Sequence, residues 1–179
     1  MNFNSMIETE RLIIRRFKPE DWKDLHEYLS DETVVRFEPY DPFTEDESKL
    51  EAIRRSEDES FFAVTLKDTG KVIGNLYFGK GDFDTYEIGY VFHANYWGQG
   101  FATESANALM KYAFDTGKVR RIIAECNPEN TSSWKLLERL KMRREGHLLK
   151  NIYFFTDEKN QPIWQDTYQY AILANEWKE

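Results

Sequence analysis

Gly98 and Gly100 stand one residue apart in the stretch "YVFHANYWGQGFATESANALMKYAF". An apolar run, residues 88–92, lies upstream. Downstream, Ala102, Ala106, Leu109, Met110, Ala113 and Phe114 recur on one face of a helix, and Gly117 suits its stop. A chain punctuated this way passes from strand to helix through a turn of bare backbone. At a helix mouth, glycines let an anion reach backbone N–H groups with no Cβ in the way, where the helix dipole favours negative charge. A plain strand-to-helix turn that binds nothing accounts for the same two residues equally well.

The flanks set the architecture. Residues 11–17, "RLIIRRF", read as a strand. "PEDWKDLHEYLS" follows as a helix with Pro19 near its start and Trp22, Leu25 and Leu29 on one face. A very polar second helix spans residues 44–56. "FFAVTL" (61–66) and "KVIGNLYFG" (71–79) are strands joined by the hairpin signal "KDTG", and "YEIGYVF" (86–92) completes an antiparallel meander. After the glycines come a helix over 101–116, a strand "RRIIAEC" (121–126 in its core) and a helix over 130–140 that opens on Asn130. "GHLLKNIYFF" and "IWQDTYQYAIL" supply two final strands, expected to pair. No linker or repeat divides the 179 residues, so one domain over 1–179 is expected. The fold class is mixed α/β (α+β): a sheet of six to seven strands flanked by about four helices.

Composition removes several function classes. A net charge of −8 and a pI near 5.1 argue against nucleic-acid binding and suit an amine partner or simple solubility. The single Cys126 cannot form an internal disulfide, which fits a reducing compartment, and no run has signal-peptide or membrane-spanning length; a cytoplasmic protein without membrane contact is expected. His26, His93 and His147 lack ligand spacing, so no metal is expected. The P-loop string is absent. A dinucleotide fingerprint is opposed by Thr103 at the third glycine position and by "HANYW" before the first glycine, although Glu125 on the next strand imitates a ribose-binding acid.

The longer stretch "EIGYVFHANYWGQGFATESANALMKYAF…RRIIAECNPENTSSWKLLERLKMRREG" resembles the GNAT superfamily of N-acetyltransferases, in particular the branch of the bacterial ribosomal-protein N-terminal acetyltransferases. "ETERLIIRRFKPEDWKDLHEYL" and "DTYQYAILANEW" resemble the same branch, so the likeness covers nearly the whole chain. The family's loop pattern, [QR]-x-x-G-x-[GA], falls on Trp97, Gly98, Gln99, Gly100, Phe101 and Ala102, with Trp97 departing at the first position. "RLKM", residues 139–142, departs where the family usually has Gly followed by an aromatic.

The resemblance implies a mostly antiparallel sheet in which a parallel strand pair, 87–92 and 121–126, splays into a V. It implies acetyl-CoA as cosubstrate. Its pantetheine arm would pair with backbone near Tyr90, Val91 and Phe92, its pyrophosphate would lie on the loop from Trp97 and Gly98 to Thr103, and Asn130, Ser133 and Arg139 would add contacts. It further implies Glu87 as general base, or as counter-ion to the amine, and Ser133 as a hydroxyl beside the sulfur. Asn130 is also a good N-cap, and Arg139 equally suits a solvated helix face. The expected reaction is direct acetyl transfer to a primary amine, on a protein or peptide N-terminus or a small molecule, by a monomer or homodimer. The alternative is a catalytically inactive CoA-binding or regulatory module.

Overall fold

A computed structural model describes residues 6–177. Its strands are β1 (Ile7–Glu8), β2 (Leu12–Arg16), β3 (Phe61–Leu66), β4 (Val72–Lys80), β5 (Thr85–Phe92), β6 (Arg121–Cys126), β7 (Arg143–Ile152) and β8 (Gln165–Leu173). They form one sheet in the order β1-β2-β3-β4-β5-β6-β8-β7. Every neighbouring pair is antiparallel except β5 and β6. The helices are α1 (Trp22–Leu29), α2 (Glu32–Val35), α3 (Glu45–Glu57), α4 (Phe101–Asp115) and α5 (Thr131–Arg139).

Strand alternation sends each strand's side chains to two different cores. On β3, Phe62 and Val64 join a large cluster with Ala106, Leu109, Met110 and Ala113 of α4 and Leu136 and Leu137 of α5. Ala63, between them, joins Leu25, Tyr28 and Leu29 of α1 and Ala52 of α3. Both faces of the sheet centre are therefore covered, which is why β4 reads as an almost unbroken apolar run. The one buried amide there, Asn75, accepts a hydrogen bond from the Tyr28 hydroxyl at 2.9 Å.

The polar α3 is fixed by its ends rather than by an apolar stripe. Thr44 caps it and Glu47 returns the bond to the Thr44 N–H at 2.8 Å. Three features go beyond the sequence expectation. β1 adds a two-residue eighth strand, and α2 adds a single turn capped by Asp31. β7 begins at Arg143, three residues before the apolar signal. It is an edge strand open to solvent, so charged residues serve it: Arg143 and Arg121 both pair with Glu145. Lys141 takes the left-handed position after α5, at φ +65°, where glycine is the usual residue.

Candidate functional site

The parallel pairing of β5 with β6 runs only from Thr85 opposite Arg121 to Glu87 opposite Ile123. Beyond Glu87 the strands part. The His93 N–H donates to Ile73 on β4, so by alternation the backbone groups of Ile88, Tyr90 and Phe92 face the gap. A cleft of about 1240 Å³ fills the opening and runs on beneath α2 and α3.

One end of the cleft is the glycine turn. Gly98 and Gly100 take φ of +72° and +83°, a region L side chains rarely enter, so glycine is required by the backbone itself. Gly100 is the N-cap of α4 and offers no side chain, which leaves the first-turn N–H groups open toward the cleft. The Trp97 indole N–H donates to the Phe92 carbonyl at 2.8 Å. That bond explains the departure at the first loop position: Trp97 ties the loop to the end of β5. It also takes one of the two acceptor positions of the Phe92 carbonyl, while the backbone of Val91, opposite Asn75, faces β4 rather than the gap. Trp97, Gly98, Gly100, Phe101, Ala102 and Thr103 all line the cleft. Gln99 turns away, its amide donating to the Asn95 carbonyl at 2.9 Å.

Sequence reading missed what holds this turn. Arg11, at the entry to β2, donates through Nη1 to the Gln99 carbonyl at 3.0 Å and through Nε to Glu104 at 2.7 Å, and its guanidinium lies 4.2 Å from the Phe101 ring centre. Thr9 and the Arg11 backbone N–H also bond Glu104. Burial alone would raise the Glu104 carboxyl, but these hydrogen bonds outweigh it and hold it below its ordinary value. Glu104 is the acidic residue in the first turn of α4, and the ion pair with Arg11 offsets its charge at the helix mouth. The only sequence signal was the "TERL" of the resemblance, which gave no partner 88 and 93 residues away.

In mid-cleft, Asn130 caps α5 by accepting from the Ser133 N–H at 3.2 Å. The Tyr90 hydroxyl lies 3.0 Å from both the Ser133 carbonyl and the Ser133 Oγ. Burial holds the Tyr90 phenol well above its usual range. Burial also pushes the Cys126 thiol up to about 11, against a hydrogen bond with Ser133. Arg139 reaches from α5 toward Thr103 at 3.4 Å, which brings it to the helix mouth. Glu87 stands where the strands part. Its side chain meets the water of the cleft, but the cleft walls surround it; burial, and then the charge of Glu125, raise its carboxyl above the ordinary value. Tyr77 is raised by burial and by Glu87 in turn, and lies folded over Gly79, the β4 partner of Glu87. Among the described residues no group of His, Cys, Asp and Glu has the makings of a metal site.

The sheet is thus split at its one parallel junction, with an uncapped helix N-terminus at one side of the split and a carboxylate of raised proton affinity at the other, and comparison with known proteins gives this arrangement its class, an acyltransferase. The family model of the acetyltransferase (GNAT) domain matches residues 11–143. The uncharacterized N-acetyltransferase YnaD of Bacillus subtilis (strain 168) is 40% identical over 176 residues, covering 96% of this chain and 98% of that protein. The crystal structure of a GNAT-family acetyltransferase from Bacillus anthracis matches with a TM-score of 0.88 at 39% identity, over 96% of this chain and 100% of that one. The ribosomal protein uS5-alanine N-acetyltransferase of Escherichia coli (strain K12) is 24% identical over 185 residues, 96% of this chain and 92% of its own. The chain belongs to the GNAT acetyltransferase family, and the resemblance read from its sequence holds.

Proposed function

We propose that the chain is a single-domain, acetyl-CoA-dependent N-acetyltransferase that moves the acetyl group directly to a primary amine. The observation that carries this reading is the end of strand pairing at Glu87 and Ile123. It opens backbone groups of β5 to a ligand beside a carboxylate of raised proton affinity. The site fits the cosubstrate. The α4 N-terminus offers uncapped N–H groups to a pyrophosphate, the left-handed glycines keep Cβ atoms away from it, and the gap is open to an extended arm.

Acetyl-CoA supplies the acyl group as a thioester, so an N–C bond forms and a C–S bond breaks. Glu87 accepts the proton that the attacking amine must lose. With the Tyr90 hydroxyl donating to the Ser133 Oγ, Ser133 keeps its own proton to donate toward the departing sulfur. Cys126 takes no covalent part, because a thiol near 11 is almost wholly protonated at neutral pH. Its lone, unpaired state suits the cytoplasm as the working compartment.

The test is free-thiol release from acetyl-CoA with a panel of primary amines, paired with thermal shift. Acetyl-CoA at 100 times its dissociation constant should stabilise the protein by ~2.7 kcal/mol. Stabilisation with no thiol release on any amine leaves a binding module; neither response ends the reading.

A further inference from the structure

Arg55 lies in the last turn of α3 and is 2% exposed, yet it forms part of the cleft wall on the side away from α4. Its Nε donates to Glu51 at 2.6 Å, and its guanidinium lies 4.6 Å from the Phe61 ring centre. Its Nη1 is enclosed and has no hydrogen-bond partner. Three buried side-chain nitrogens are in that condition among the described residues, on Arg16, Arg55 and Trp177, and of these residues only Arg55 belongs to the cleft wall. A buried donor left unpaired is costly, and more so when charged, so such groups are rare unless a ligand completes them.

Charged groups surround Arg55 on the cleft wall. Arg54 also bonds Glu51, at 2.6 and 2.7 Å, and also lies over Phe61, at 4.8 Å. Arg54 also reaches Asp58, at 3.4 Å, and Glu51 is the carboxylate that Arg55 itself bonds. Glu38, on the same wall, is raised by burial, against a hydrogen bond from Tyr40 and the nearby charge of Arg55. Opposite stand Glu87 and Glu125, both carboxylates. Between these and Arg55 lie Phe61 and Tyr77, with ring centres 5.2 Å apart. The acceptor half of the cleft thus carries two carboxylates, Glu87 and Glu125, where the amine must react, and the Arg55 guanidinium on the far wall.

We propose that Arg55 is the anchor of an acceptor subsite for a carboxylate, and that the acceptor is a primary amine carrying that carboxylate several bonds from its nitrogen, as in a short peptide. The assignment rests on the N-acetyltransferase reading above. The amine lies toward Glu87, the carbon chain crosses Phe61 and Tyr77, and the carboxylate completes the Arg55 guanidinium.

The experiment compares dialanine and trialanine with their C-terminal amides as acceptors, by thiol release with saturating acetyl-CoA. The expected result is a kcat/KM about tenfold or more higher for at least one acid than for its amide, since an ionic hydrogen bond is at stake. Arg55→Lys should bring that ratio close to unity while the KM for acetyl-CoA stays unchanged. Equal rates for acid and amide in the wild-type protein overturn the subsite and leave the acetyltransferase reading standing. Inactivity toward every amine, simple alkylamines included, overturns both. Should Arg55→Lys not fold, the wild-type acid-to-amide ratio decides alone.

Discussion

The Tyr90 hydroxyl and the Ser133 Oγ lie 3.0 Å apart, across the gap between β5 and α5. The same hydroxyl sits 3.0 Å from the Ser133 carbonyl, so its one proton has two acceptors on Ser133. Asn130 fixes the Ser133 backbone by accepting from its N–H at 3.2 Å. Ser133→Ala should lower kcat and leave the KM for acetyl-CoA nearly unchanged, the pattern of an interaction made in the transition state. Tyr90→Phe keeps the ring and removes the hydroxyl. It should lower kcat by about fivefold to tenfold, in line with one lost hydrogen bond of about 1 kcal/mol. Steady-state kinetics on both variants is the check; a rise in KM alone would make the pair a cofactor contact.

The glycine turn should respond to Arg11 in the same manner as to its own residues. Arg11→Ala releases the Gln99 carbonyl and leaves Glu104 uncompensated near the helix mouth. The KM for acetyl-CoA should rise about tenfold at similar kcat. Glu104→Gln in the Arg11→Ala background should recover part of that loss, because it removes the repelling charge. A purely structural Arg11 would show a lowered Tm with no such recovery.

Cys126 is positioned beside Ser133 but is not poised to react. With its thiol pushed up to about 11, Cys126→Ala should retain most activity. Alkylation by iodoacetamide at pH 7 should be slow and should quicken steeply above pH 9. Complete loss of activity in a folded Cys126→Ala protein would revive an acyl-enzyme route.

Lys141 carries a small strain in the turn after α5. A non-glycine residue at φ +65° is disfavoured by roughly 1 kcal/mol. The turn is otherwise regular, with the Met142 N–H reaching the Leu137 carbonyl at 3.1 Å. Lys141→Gly should stabilise the protein by about 0.5–1 kcal/mol without touching the cleft, measured by urea unfolding at constant m.

Local signals carried most of the fold. The α4 stripe, the "KDTG" hairpin and the Asn130 cap each depend on residues close in sequence, and each formed as read. Nonlocal relationships were not legible. Nothing in "YEIGYVF" says that pairing with β6 stops at Glu87, because the partner strand lies more than thirty residues further along the chain. The Arg11 clamp joins residues some 90 positions apart, and Arg55 reads as one more charge on a polar helix until its burial is known. The β7 start was hidden because an edge strand needs no apolar alternation.

Glu87 joins activity and stability in opposite senses. Burial and the neighbouring Glu125 raise its proton affinity in the folded chain. As general base, it must be ionised to work, so kcat/KM should climb with pH through a carboxylate titration displaced upward from the ordinary range. Glu87→Gln should lower kcat/KM by ~10²-fold near pH 7, and the deficit should narrow at high pH, where free amine is plentiful. For stability the sign is the reverse. A carboxyl whose folded pKa lies above its unfolded one holds its proton more tightly in the native state, so its contribution is present at low pH and is lost as pH rises through the folded value. At pH 7 the wild-type protein therefore bears the ionised Glu87 beside Glu125, and Glu87→Gln relieves it. The variant should show a higher Tm than wild type at pH 7 to 8 and little difference at pH 4. Thermal unfolding of both proteins across that range, run beside their pH–rate profiles, tests the two halves together. A variant less stable at pH 7 than at pH 4 relative to wild type would mean that Glu87 is paired with a cation in solution and is not the base.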